Sequence, residues 1–291
     1  MLSLHTNAAS LSAQNSLSST QNKLSTSMTR LSTGFRINSA MDDAAGLQIA
    51  TRLKAQTSGM AVAMRNTQNS ISMLQTAEGA LDEVTNILTR MKDLATQSAD
   101  ASSSTADQTA MQAEYDSLTD ELNNIFGNTK FGGTALLSTT GKLATGTLTF
   151  QIGSDTNEKM VADFQTALNT DTIAKITAAA AGFTGAAGAA VTGTDITGTA
   201  ANATINELSD AINGVSSLRS KIGAVSNRLD HVYNNLSNIS TNTQNATGRI
   251  MDVDFASESA KMTSNQMLMQ AGTAMLKQTN SMSSMVMSLL Q

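Results

Sequence analysis

The residues that could do chemistry are few and scattered. The two histidines, His5 and His231, stand in helical stretches at opposite ends of the chain. Neither has a carboxylate or a second histidine at ligand spacing, and no HExxH run exists to build a metal site. A solvated or packed helix residue is the ordinary reading of each. Asp42 and Asp43 are adjacent carboxylates, but the Ala44-Ala45-Gly46 that follows adds no third oxygen. Helix capping, favoured by the N-terminal dipole, accounts for the pair better than a metal does. Gly182, Gly185, Gly188 and Gly193 form neither GxGxxG nor a phosphate loop, and no strand-then-helix context frames them. Methionine is dense near the C-terminus, at Met251, Met262, Met267, Met269, Met275, Met282, Met285 and Met287. A thioether metal box is one reading, and adaptable packing between helices is the commoner one. Arg90 and Leu94 fall one turn apart on one helix face, ordinarily a solvated stripe. These groups carry no catalytic, metal or cofactor reading, and no enzyme is expected.

The elements around them are more informative. Both ends read as helices with heptad apolar stripes and almost no charge. Between Met1 and Thr29 the only formal charge is Lys23; after Phe255 there are only Glu258, Lys261 and Lys277. Leu4, Leu11, Leu17, Leu24, Met28, Leu31 and Phe35 form the first stripe. Leu268, Met275, Met282 and Leu289 recur every seven residues in the last, broadened by Met262, Ala271, Met285 and Val286. Such a repeat is a seam for another helix. The expectation is that the two end seams pair with each other and then with further copies, with Lys23, Lys261 and Lys277 turned away from the seam.

Between the ends, Met1–Phe35 predicts one helix broken at Gly34, then a connector to Gly46 with Ser39, Asp42 and Asp43 as candidate N-caps. Leu47–Ala99 predicts a helix, with Met64, Thr67, Ile71, Leu74, Glu78, Leu81, Thr85 and Leu88 at 3–4 spacing and a flanking stripe of Val84, Ile87, Met91 and Leu94. After a polar turn, Met111, Tyr115, Leu118, Leu122 and Ile125 mark a shorter helix. The stretch 127–133 reads as a loop, and Thr-rich Leu143–Ile152 with Met160–Phe164 reads as a strand pair. Ala178–Ala203, low in complexity and with little to bury, reads as a loose surface segment. Helix returns near Thr204, where Leu218, Ile222, Val225, Leu229, Val232, Leu236 and Ile239 alternate 4–3, and a last helix starts near Ser257.

The fold class expected is mainly α: a long antiparallel helical bundle or coiled coil with a small β-hairpin region and paired terminal helices. The expected domains are 1–45 plus 250–291, a terminal coiled coil; 46–170 plus 202–249, a bundle carrying the hairpin; and 171–201, a short Ala/Gly/Thr-rich variable segment. Composition agrees. The 291 residues hold 3% aromatics, no tryptophan, no cysteine and no proline, so nothing interrupts long helices and no thiol chemistry is available. A net charge of −5 without a basic run argues against nucleic acid. No stretch approaches the ~18 apolar residues of a membrane span, and the N-terminus does not read as a cleaved signal.

The run Leu31–Gly46, LSTGFRINSAMDDAAG, resembles the signature of bacterial flagellins. Further matches follow in that family's order: TKFGGT at Thr129–Thr134, FQIG at Phe150–Gly153, IGAVSNRL at Ile222–Leu229, QAGTA at Gln270–Ala274 and SLL at Ser288–Leu290. The resemblance covers nearly the whole chain except about 170–201. It implies a flagellar filament subunit of near-minimal size. Its terminal helices would pair into an inner tube, its inner helices would form an outer tube, and the short variable segment would face solvent.

The resemblance also implies partners. They are further copies of the chain, an export chaperone on the C-terminal helix, hook–filament junction and cap proteins, and an innate immune receptor. The receptor would read an outer-tube patch matched here by Arg90, Leu94 and Glu114. Lys92 and Asp93 depart from the Arg and Glu of well-recognised members, and Arg and Lys differ in hydrogen-bond geometry. Residues 281–284 lack the proline many members carry, which predicts a straighter last helix. An extracellular flagellum, reached by unfolded export without a cleaved signal, is the implied location. Two other readings stay open: a secreted monomer acting as an immune ligand or adhesin, and a hook–filament junction protein.

Overall fold

A computed structural model describes residues 7–188 and 191–289, with side chains described as far as 282. Six α-helices are present among them: α1 (Ala8–Thr33), α2 (Ala44–Ser98), α3 (Thr105–Asn128), α4 (Ala174–Ala179), α5 (Ala201–Met251) and α6 (Phe255–Leu289). Two antiparallel pairs supply the strands: β1 (Lys130–Phe131) with β2 (Thr134–Ala135), and β3 (Thr147–Gln151) with β4 (Lys159–Asp163). The chain divides into two compact units, one made of the stretches up to Thr57 and from Thr241, the other Ser58–Ser240.

Local chemistry sets the helix ends. Asn7 caps α1 by accepting the Ser10 amide, and Gly34, at φ 76°, closes it. Asp43 Oδ1 accepts the Gly46 amide at 2.8 Å at the start of α2. Asp42 instead organises the connector, accepting the amides of Ser39 and Asn38. Those amides, Ser39 first, hold its carboxyl below the ordinary aspartate range. The two carboxylates thus serve a turn and a cap. Ser104 and Asp107 form a reciprocal capping box at α3. The connector is tied to the far end of the terminal unit: Arg36 N donates to Met251 O, and Val253 N to Gly34 O.

In the unit Ser58–Ser240 the core is built from α2, α3 and α5. Leu74, Leu81, Leu88 and Met91 of α2, Tyr115, Leu122 and Phe126 of α3, and Leu218, Ile222 and Leu229 of α5 are fully buried. Met60 and Ala63 cluster with Leu236, while Asp82 pairs with Arg219 at 2.9 Å, so α2 and α5 run antiparallel. Phe150, Met160 and Ala162 turn the buried face of β3–β4 into the same core. The 127–133 stretch, expected as loop, ends in the small β1–β2 hairpin. Gly132 and Gly133 take the positive φ values (57° and 79°) that a two-residue hairpin turn requires. A π-helical segment, Thr166–Ile173, leads into α4 where no element was expected.

The loose-segment reading of 178–203 is corrected. Ala179, Ala180, Phe183, Val191, Ile196 and Ala201 are buried, and Phe183 meets Phe126 edge-on at 5.2 Å between ring centres. The physical reason lies in polar side chains on the neighbouring helices. Asn123 accepts the amides of Thr184 and Gly185 and donates to Gly182 O. Gln112 Oε1 accepts the Ile196 amide at 2.9 Å, and Ser98 donates to Ile196 O. The backbone of a segment poor in large side chains is satisfied this way, and its few apolar residues can then be buried.

Candidate functional site

The terminal unit carries the surface of interest. α1 and α6 lie antiparallel. Asn7 Nδ2 donates to Thr279 O at 3.3 Å, Ser10 Oγ lies 3.4 Å from Asn280 Oδ1, and Ser27 Oγ donates to Glu258 Oε1 at 2.6 Å. On α1 the face toward α6 holds Leu17, Leu24 and Leu31, separated by the smaller Thr20 and Ser27. On α6 the less exposed residues are Met262, Asn265, Met269, Gly272, Leu276 and Thr279, again large alternating with small or polar at heptad spacing. A methyl built on Gly272 would lie 3.2 Å from Leu17 Cδ1, so this leucine occupies the space that glycine leaves.

The seam residues expected from sequence therefore divide. Leu17, Leu24 and Leu31 face the partner helix. Leu11 and Met28 are each 57% exposed, and Leu268, Met275 and Met282 are 56%, 65% and 54% exposed. The pairing of the two end stripes is thus corrected: α6 uses a different heptad row for α1 and leaves the Leu268–Met275–Met282 row on the outside. The row that pairs has Gly272 opposite Leu17 and polar partners for Asn7 and Ser27, and the outward row has neither. Leu4 lies outside the described residues, as do the side chains of Val286 and Leu289.

The flanks of the pair differ in chemistry. One holds a polar groove of about 780 Å3 lined by Asn15, Ser18, Asn22, Lys23, Lys261 and Asn265, among others. The other holds a groove of about 520 Å3 that includes Leu24, Met28 and Met269. Lys261 Nζ reaches Glu258 Oε2 at 3.4 Å, and Lys23 and Lys277 are exposed. Glu258 is 3% exposed. The Ser27 hydroxyl, then the positive charge of Lys261, hold its carboxyl below the ordinary glutamate range against the opposing effect of burial. Neither the Ser27–Glu258 contact nor the Gln112 and Asn123 clasps were anticipated. The signal available was a polar residue beside an apolar one on a core-facing helix, as at Met111-Gln112 and Leu122-Asn123.

In the other unit, Arg90 Nε and Nη2 both donate to Glu114 Oε1, at 2.9 and 2.7 Å, and both side chains are about half exposed. Leu94, expected beside them, is 2% exposed and belongs to the core. α3 packs over that turn of α2, so Arg90 and Glu114 stand at the surface without it. His231 is exposed, and His5 lies outside the described residues. Among the described residues no three His, Cys, Asp or Glu side chains are grouped to hold a metal ion.

Residues 4–142 match the family model of the bacterial flagellin N-terminal helical region, and residues 205–290 that of the C-terminal helical region. Flagellin C of Vibrio cholerae is 41% identical over 160 residues, 55% of this chain and 41% of that protein. Polar flagellin B/D of Vibrio parahaemolyticus is 39% identical over 164 residues, 56% of this chain and 42% of that one. The chain thus spans about two fifths of the length of the curated relatives it matches. A solved structure of a putative flagellar hook-associated protein from Vibrio parahaemolyticus is similar in fold, with a TM-score of 0.57 at 20% identity, over 72% of this chain and 100% of that one.

Proposed function

The chain belongs to the bacterial flagellin family, and from that premise we propose that it is the structural subunit of a helical flagellar filament. The observation that carries the reading is the outward row of α6, with Leu268, Met275 and Met282 each more than half exposed. Large apolar side chains aligned on one helix face are unfavourable in water, and repeated copies of the chain would cover them. Few charges interrupt the two helices, so many copies can gather around one axis without like charges meeting.

In this account the terminal helices form the inner tube and the Ser58–Ser240 core forms the outer one, with the segment near 171–201 toward solvent. The mechanism is coupled folding and assembly after unfolded export. A chaperone of the export apparatus covers α6 until neighbours replace it, and junction and cap proteins meet the ends of the polymer. The location is the extracellular flagellum. No helix among the described residues is long and apolar enough to cross a membrane. The function is structural and not enzymatic. An innate immune receptor would meet the exposed Arg90–Glu114 pair rather than Leu94. A monomeric ligand or adhesin and a junction protein remain the less favoured readings.

Deleting residues 262–291 tests the proposal. The expected product is a soluble protein with the Ser58–Ser240 core folded and no filaments under seeding. Filaments built from this deletion would overturn it.

A further inference from the structure

Methionine is divided sharply between the two units. In Ser58–Ser240, Met60, Met73, Met91, Met111 and Met160 are buried and Met64 is partly buried, with none exposed. In the terminal unit no described methionine is buried; five are exposed, at 57% (Met28), 97% (Met41), 60% (Met267), 65% (Met275) and 54% (Met282). The chain has no cysteine, so no thiol competes for an oxidant. Oxidation of sulfur follows access to it.

We propose that these five exposed thioethers are a peroxide-modifiable site whose oxidation blocks self-association of the chain; the second half rests on the filament reading. The oxidant is hydrogen peroxide. A sulfur lone pair attacks one peroxide oxygen, the O–O bond breaks, and the sulfoxide S–O bond forms. The other oxygen leaves as water with both protons. Sulfur loses two electrons and the peroxide gains them.

Each sulfoxide replaces a flexible apolar side chain with a polar one. On the outward row of α6, an association that buries Met275 and Met282 would then bury sulfoxide oxygens without donors, which is unfavourable. The buried methionines of the other unit are shielded, so its fold survives a dose that alters the terminal unit. Copies already assembled would be protected at Met275 and Met282, because the association covers that row. The modification therefore acts on the free subunit.

The experiment treats the monomeric chain with graded hydrogen peroxide and maps added oxygen by peptide mass spectrometry. The five exposed methionines are expected to oxidise about tenfold or more faster than the five buried ones. The thermal transition of the core should stay unchanged, and seeded polymerisation should fall in step with oxidation at Met275 and Met282. Enzymatic reduction of the sulfoxides by methionine sulfoxide reductases should restore polymerisation of the treated chain. Equal oxidation rates for the two sets would overturn the site. Full-rate polymerisation of the oxidised chain, or no recovery of polymerisation after the sulfoxides are reduced, would overturn the control of association. If the untreated chain never polymerises, the filament reading and the control of association fall together, while the oxidation map still decides the site.

Discussion

Ser27 Oγ donates a 2.6 Å hydrogen bond to Glu258 Oε1, joining the first helix to the last across 231 positions of sequence. Both residues are buried, in a helix pair that otherwise holds few charges. A carboxylate so placed needs its donors, and Lys261 supplies the second. This contact sets the register of the terminal pair: Leu17 falls opposite Gly272, and Asn7 meets Thr279. The same register leaves Leu268, Met275 and Met282 pointing outward.

Removing the hydroxyl leaves the carboxylate short of a donor in a buried site. Ser27→Ala should weaken the α1–α6 pairing by about 1.5–3 kcal/mol, the range for a hydrogen bond to a charged group. Amide hydrogen exchange in α1 should rise roughly tenfold or more while the core of the other unit exchanges as before. Unchanged exchange would contradict the assignment. The pH dependence has a definite sign. Folding lowers the glutamate value from 4.5, so the ionised form stabilises the pair above that value, and the contribution is lost as pH falls through the lower folded value. Acid should loosen α1 from α6 in the parent chain and do so less in Glu258→Gln.

The Leu17–Gly272 fit predicts a steric outcome. Gly272→Leu would force a side chain into the place of Leu17, with a cost of about 1–3 kcal/mol typical of overpacking. Denaturant unfolding followed by a probe on α6 should show it. A variant as stable as the parent would mean that α1 and α6 do not approach this closely.

Charge on the outward row separates folding from assembly. Met275→Glu lies on a side chain 65% exposed, so the helix pair should change by about 0.5 kcal/mol or less. Seeded polymerisation should stop, because each copy would bury an unpaired carboxylate. Wild-type polymerisation by this variant, measured by light scattering, would place the contact elsewhere.

The clasp of 178–203 onto α3 should respond to pH with the opposite sign from Glu258. Asp195 Oδ2 is buried without a hydrogen-bond partner, and Oδ1 accepts the Ala181 amide. Burial, with the negative charge of nearby Asp116, raises its carboxyl above the ordinary 3.8, although the Ala181 amide opposes this. A raised value means that the group favours the closed segment below 3.8 and that this contribution fades as pH rises through the folded value. Asp195→Asn should slow hydrogen exchange at Ala181 and Ile196 at pH 7, and the difference should vanish near pH 3. Faster exchange in the variant at pH 7 would contradict it.

Much of the helical layout was legible because one physical rule governs it. In α5, apolar residues from Leu218 to Leu236 keep a 4–3 alternation, and Leu218, Ile222, Leu229 and Leu236 are buried as that period requires. The terminal seams were legible only as a set. α6 carries two apolar heptad rows, Met262–Met269–Leu276 and Leu268–Met275–Met282. Periodicity cannot say which one faces α1, since the choice depends on the space at Gly272 and the donor at Ser27. Leu94 is buried as its place in the Val84–Ile87–Met91–Leu94 stripe requires, and only the patch implied by the resemblance set it at the surface; α3, the next helix in the chain, covers its turn. The 178–203 segment was misread because its burial depends on Gln112, Asn123 and Ser98 satisfying its backbone, and no composition rule registers partners so far away.

The central claim is tested most directly by electron microscopy of the purified chain after seeding with fragments of its own polymer. The account predicts long tubes of uniform diameter with a central channel, formed by the parent chain and absent from Met275→Glu. A parent chain that stays monomeric under seeding, or forms only irregular aggregates, would contradict it.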